Sequence, residues 1–134
     1  MKIRILSILV SLMVITSFGA SALNRETMKK DNFNGWWYDK DTQHDYFLKN
    51  GDVVTGWIND EGNWFYSNVN GEIQTGWVNL NNNWYYLNKF GVMQTGWLEG
   101  KDGKWYYLNS DGTMMHDATT PDGYKIGPDG VWIK

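Results

Sequence analysis

The sequence predicts an all-β fold, a solenoid of tandem β-hairpin repeats preceded by a signal peptide, and three observations carry that prediction. Thr-Gly-Trp recurs at Thr55-Gly56-Trp57, Thr75-Gly76-Trp77 and Thr95-Gly96-Trp97, spaced by 20 residues each time, and a fixed period of this length marks a repeat architecture. A second element keeps the register, at Trp64-Phe65-Tyr66, Trp84-Tyr85-Tyr86 and Trp105-Tyr106-Tyr107, the last displaced by one extra residue in the preceding turn. The 134 residues include 9 Trp, 8 Tyr, 5 Phe and 15 Gly but only 2 Pro, at a mean hydropathy of -0.53. Aromatics in so polar and turn-rich a background argue against long apolar helices.

From the N-terminus, Met1-Lys2-Ile3-Arg4 is a positive start, Ile5 to Phe18 is mainly apolar, and Gly19-Ala20-Ser21-Ala22 ends in small residues. This is the order of a secretory signal peptide cleaved after Ala22, and its apolar run is shorter than the roughly 20 residues of a membrane span. Residues 23–34 are polar and aperiodic and read as a flexible lead-in too short for a catalytic domain. The repeat solenoid then occupies 35–134, in units of about 36–55, 56–75, 76–95 and 96–115 with a divergent C-terminal cap at 116–134. No sorting motif or hydrophobic tail closes the chain, so surface attachment is expected to be non-covalent.

Within each unit, short aromatic and β-branched runs bounded by Asn, Asp and Gly read as strands, roughly Gly56 to Asn59 with Trp64 to Ser67, and Gly76 to Asn79 with Trp84 to Asn88. Asn50-Gly51, Asn70-Gly71, Asp102-Gly103 and Asp111-Gly112 supply the positive φ that sharp reversals need. A third recurring element follows at Gly71-Glu72-Ile73, Gly91-Val92-Met93 and Gly112-Thr113-Met114, an apolar residue two after a glycine. Extending the register backwards by 20 puts Trp37 at the Gly-Trp position, His44 at the hairpin Trp and Tyr46 at Tyr66, a degenerate first unit completed by Gly51 and Val53. Pro121-Asp122-Gly123-Tyr124 and Asp129-Gly130-Val131-Trp132 read as a divergent closing hairpin. Such departures belong at the ends, where a repeat has one neighbour only. Along a strand Trp84 and Tyr86 share one face and Tyr85 takes the other. An isolated hairpin of this size is marginal in water, so the aromatics must be buried by stacking hairpin on hairpin.

Charge and motifs exclude several functions. Removing Lys2 and Arg4 with the signal leaves 10 basic against 15 acidic residues, a net of -5, the wrong sign for a nucleic-acid binder that needs a basic track along its aromatics. With 0 Cys there are no disulfides and no thiol chemistry. His44 and His116 stand far apart in the least regular units, and no hydrolase, zinc-protease or phosphate-loop motif occurs. The acidic residues, such as Asp60, Glu61, Asp102 and Asp111, sit in predicted turns, where backbone geometry favours them. A non-enzymatic chain without metal or cofactor is expected.

A stack of such hairpins leaves a notch at each junction, bounded by aromatic rings with the apolar residue after the glycine as floor. Cation–π attraction would hold a quaternary ammonium there, and Met thioethers suit a methylated cation. The same rings could instead stack a sugar, with Asn and Asp taking its hydroxyls, or could serve packing alone. Several weak notches on one rigid array gain by effective concentration on a polymer.

Thr-Gly-Trp, Trp-aromatic-Tyr and Gly-x-Met in three tandem copies resemble the cell-wall-binding repeat family, the choline-binding modules of Gram-positive surface proteins and autolysins; the likeness runs from about Asn34 to Lys134. The resemblance implies choline sites between consecutive hairpins, built from the two tryptophans of one repeat, a hairpin aromatic of the next and the Met. By position these would be Trp57, Trp64 and Tyr86 with Ile73, then Trp77, Trp84 and Tyr107 with Met93, and a third from Trp97, Trp105 and Met114, whose third wall comes from Tyr124 or is missing. Tyr85 and Tyr106 are the alternatives to Tyr86 and Tyr107. It also implies a secreted, wall-attached protein whose partner is choline-bearing teichoic or lipoteichoic acid. Repeats similar to these in glucan-binding domains and clostridial toxins recognise glycans, so another wall glycan stays open as the ligand, and the C-terminal end near Trp132 is open to pairing with a second copy.

Overall fold

The computed structural model describes residues 25–134; the predicted signal peptide lies outside them. A short helix, α1 (Arg25–Lys30), leads into a series of antiparallel hairpins. The first is β1 (Gly35–Asp39) with β2 (His44–Lys49), extended by β3 (Asp52–Val53); the second is β4 (Gly56–Asp60) with β5 (Asn63–Ser67). The third is β6 (Gly76–Leu80) with β7 (Asn83–Leu87), the fourth β8 (Gly96–Glu99) with β9 (Trp105–Leu108), and the fifth β10 (Ala118–Thr119) with β11 (Lys125–Ile126).

The hairpins share one register. Gly56 pairs with Ser67 and Trp57 with Tyr66, Gly76 with Leu87 and Trp77 with Tyr86, Gly96 with Leu108 and Trp97 with Tyr107. The tight turns come from Glu61-Gly62 (φ 50 and 85) and Asn81-Asn82 (φ 52 and 67), two-residue connections with both φ positive that match the twist of the strands. The Asn-Gly and Asp-Gly pairs after β5 and β9 serve the links between hairpins instead. There Asn68 and Asn88 accept two backbone N–H groups each through Oδ1, at 2.9 and 3.1 Å.

Opposite each Gly of the Gly-Trp pair sits the deepest residue of its unit. Leu48, Leu87 and Leu108 are fully buried, and so is Ser67 in the same place, whose hydroxyl donates to Val54 O at 2.8 Å. The apolar residue two after each link glycine bridges back to that position: Val53 to Leu48, Ile73 to Ser67, Met93 to Leu87, Met114 to Leu108, Trp132 to Ile126. Its N–H reaches the preceding hairpin, Ile73 to Asp45 O (3.0 Å), Met93 to Trp64 O (2.7 Å), Met114 to Trp84 O (2.7 Å) and Trp132 to Trp105 O (2.9 Å). One backbone bond per repeat therefore ties each link to the unit before it. The side chain lands on the next glycine: a Cβ on Gly112 (φ +86) would collide with Met93 Sδ, and one on Gly91 would lie 2.6 Å from Ile73 Cγ2. Gly112 is required twice over, by its backbone conformation and by the methionine above it.

Two end features differ from the sequence reading. The segment expected to be a flexible lead-in contains α1, whose Met28 is buried with Tyr46 and Leu48 beneath Phe33, Trp37 and Val53. Among the described residues no hairpin precedes the first, and the face carrying Trp37 and Tyr46 is covered by α1 instead. The first unit is also shifted by one residue. Gly35 pairs with Leu48 and Trp36 with Phe47, which makes Trp36, not Trp37, the counterpart of Trp57, and Asp45, not His44, the counterpart of Trp64. The first hairpin's turn, residues 40–43, is two residues longer than that of the second, and the link from Leu48 to Gly56 is one residue shorter than that from Ser67 to Gly76, which together produce the slip.

Candidate functional site

Strand alternation gives each central hairpin two unlike faces. On one, Trp57 meets Trp64 at 6.3 Å and 86° and Tyr66 at 5.2 Å and 67°; the next hairpin repeats this with Trp77, Trp84 (6.4 Å, 83°) and Tyr86 (5.2 Å, 68°). The other face carries Phe65, Tyr85 or Tyr106 and is turned to the preceding unit, so that Trp57 meets Tyr85 at 4.9 Å and Trp77 meets Tyr106 at 5.1 Å. These edge-to-face contacts are favoured by the ring quadrupoles. They also leave the hairpin tryptophans partly bare, Trp64 being 44% exposed and Trp84 43%.

The second junction is the clearest notch. Trp57, Trp64, Tyr85 and Met93 line a cavity of about 430 Å³, with Ser110 and Asp111 at its edge. Asp111 is contributed by the link after β9. The Thr113 hydroxyl (2.6 Å) and N–H (3.0 Å) both bond its Oδ1 and hold its carboxyl below the ordinary aspartate range, so it is charged at neutral pH. The third junction reuses the same parts: Trp77, Trp84 and Tyr106, with Met114 N–H on Trp84 O. Its tyrosine is anchored through the Oη hydrogen, donated to Asp102 Oδ2 at 3.1 Å. Burial first, then this carboxylate, raises the Tyr106 phenol, while the Lys104 backbone N–H and then Tyr106 lower Asp102.

This arrangement corrects the expected grouping. Tyr86 and Tyr107 lie against Trp77 and Trp97 of their own hairpins, and the third ring of each cage is Tyr85 or Tyr106, because only the back face of a hairpin reaches the unit before it. The floor residues move one unit as well. Met93 belongs with Trp57 and Trp64, and Met114 with Trp77 and Trp84, since the link's N–H bonds backwards. Ile73 accordingly sits at the first junction.

The two end junctions depart from this composition. At the first, Trp36 lies 4.6 Å from Phe65 and 5.0 Å from Phe47 and donates its indole N–H to Asp60 Oδ2 at 2.9 Å. Asp45 stands where the second tryptophan should be, so no cage closes. At the fourth, Trp97, Trp105, Tyr124 and Trp132 surround a cavity of about 330 Å³ with Asp122 in its lining. Trp132 was not among the expected site residues. Its signal was in the sequence all the same, as Gly130-Val131-Trp132 matches Gly112-Thr113-Met114.

Among the described residues no three His, Asp or Glu side chains gather as a metal site, and no helix is long and apolar enough to cross a membrane. Residues 55–73 match the model of a cell wall binding repeat and residues 74–119 that of a choline-binding repeat. A search of curated proteins returns no match, whereas solved structures do. Choline binding protein F from Streptococcus pneumoniae, in the presence of a peptidoglycan analogue, is 38% identical with a TM-score of 0.69 over 76% of this chain and 34% of that one. The multimodular pneumococcal cell wall endolysin from phage Cp-1, complexed with choline, is 30% identical at a TM-score of 0.56, over 65% of this chain and 26% of that one. The chain thus spans about a third or less of these relatives' length. The choline binding domain of Spr1274 in Streptococcus pneumoniae is 39% identical at a TM-score of 0.56, and 60% of this chain covers 96% of it. With matching repeats, register and fold, the chain belongs to the choline-binding repeat family of cell-wall-binding proteins.

Proposed function

We propose that the protein is a secreted, non-catalytic wall-binding solenoid whose second and third junctions hold the choline groups of teichoic and lipoteichoic acids. The observation that carries this reading is the repetition of one cage: two tryptophans near a right angle, a tyrosine from the next hairpin and a methionine thioether, at Trp57, Trp64, Tyr85 and Met93 and again at Trp77, Trp84, Tyr106 and Met114. A trimethylammonium group has no N–H to donate and is best held by ring faces and a soft sulfur. The charged Asp111 at the edge of the second cage adds attraction without a specific bond. One cage binds weakly, but two on one array facing a polymer of choline units act together. The N-terminal segment exports the chain, and attachment is non-covalent through the cages.

Tryptophan fluorescence and thermal melting of the protein, titrated with choline chloride, ammonium chloride and glucan oligosaccharides, test the reading. A ligand bound only by the folded state raises the melting temperature with its concentration. Choline is expected to shift both signals where ammonium does not; a response to glucan alone makes the same rings a sugar platform.

A further inference from the structure

We propose that the fourth junction is a site for a protonated amine that keeps at least one N–H, with the Asp122 carboxylate as its acceptor, and that it selects a different cation from the second and third junctions. The site goes beyond the choline reading and does not rest on it.

The floor residue here is an aromatic ring. Trp132 takes the place of Met93 and Met114, as its N–H bond to Trp105 O shows. Trp97 lies 6.4 Å from Trp105, 5.6 Å from Tyr124 and 6.2 Å from Trp132, and the last two stand 5.6 Å apart at 87°. Trp105 and Tyr124 remain 37% and 46% exposed, so the rings are open to a ligand. The chain's own Lys134 ammonium already stands 5.8 Å from the Trp132 ring centroid.

The second difference is the carboxylate. At the second junction Asp111 bonds only within its own turn. At the fourth, Asp122 is wired to the cage: Oδ2 accepts the indole N–H of Trp97 at 2.9 Å and Oδ1 the hydroxyl of the buried Thr120 at 2.5 Å. Each oxygen keeps a second lone pair. The carboxylate is thus fixed in orientation with acceptor capacity to spare, beside rings that attract a cation. A bond from the indole N–H to a full negative charge also pushes electron density into the Trp97 ring, in the manner of mutually polarising hydrogen bonds. A quaternary ammonium gains from the rings but offers nothing to the carboxylate's spare lone pairs. A primary, secondary or tertiary ammonium meets both demands.

The test titrates the protein with trimethylammonium and tetramethylammonium chlorides, which differ only by an N–H against a fourth methyl, and follows the indole N–H resonances of its tryptophans. Trp97 and Trp132 should saturate at about tenfold lower trimethylammonium, the value of one charge-assisted hydrogen bond. Trp57 and Trp84 should show no such preference, and Asp122→Asn, which keeps the shape, should erase it at Trp97 and Trp132 alone. Equal affinity, the reverse order or silence at Trp97 and Trp132 in the wild-type protein overturns the proposal. So does a preference that survives in folded Asp122→Asn. The wild-type comparison needs no variant, so misfolding of the substituted chain leaves the proposal testable. Silence at Trp57 and Trp84 with a response at Trp97 would defeat the choline reading and leave this one standing.

Discussion

The first and second junctions are built on the same backbone but lined differently, with Phe47 and Phe65 at the first where Tyr66 and Tyr85 stand at the second, and two further exchanges that remove the cage. Both have the Gly-Trp tryptophan, a ring from the next hairpin and a backbone bond from the following link, Ile73 to Asp45 O in one and Met93 to Trp64 O in the other. Where Trp64 and Met93 stand at the second junction, Asp45 and Ile73 stand at the first, and the cage is gone. Folding and binding are thus separable here. The backbone ladder, the glycines and the buried leucines make a hairpin stack whatever lines the notch, and on the proposed function the hairpin tryptophan with the thioether converts a junction into a cation site.

The largest expected effect comes from the buried core that lies under the cages. Leu87→Ala empties a fully buried position and should cost about 2–5 kcal/mol of stability in denaturant melts, with both neighbouring junctions loosened. Trp84→Ala removes only a cage wall; choline affinity at the third junction should fall by about 2 kcal/mol, read by titration calorimetry, while melting without ligand moves far less. Gly112→Ala forces a positive φ on alanine and pushes against Met93, and more than about 1 kcal/mol of stability should be lost. Asp45→Trp with Ile73→Met runs the exchange in reverse: the first junction should acquire a cage and the choline stoichiometry should rise by one. At the bottom of the scale, removing the exposed Lys29–Asp52 pair (3.0 Å) should change stability by under about 1 kcal/mol; a larger loss would mean that α1 is held by charge and not by Met28.

The sequence was most legible where the period is strict. Strands, register and alternation at the second, third and fourth hairpins follow from Thr-Gly-Trp and the aromatic triplet, and the separation of Trp84 and Tyr86 from Tyr85 is as expected from a two-residue side-chain period. Which neighbour each face meets was not legible, because a period fixes spacing within a unit and says nothing of the direction in which units stack. That is why Tyr85 and Tyr106, and not Tyr86 and Tyr107, complete the cages, and why each methionine serves the junction before its own hairpin. The ends were hardest. A longer first turn and a shorter link after it slid Trp36 into the place read for Trp37, and α1 is a helix of 6 residues whose buried Met28 stabilises it by covering the first hairpin.

On the proposed function, cage composition and not the shared backbone decides which junctions hold a quaternary ammonium. Indole N–H spectra of the protein titrated with choline test it most directly. Saturable shifts at Trp57, Trp64, Trp77 and Trp84, with Trp36 and Trp37 unmoved, are the predicted result. Shifts of equal size at Trp36, or no saturable shift at any of the four, would contradict it.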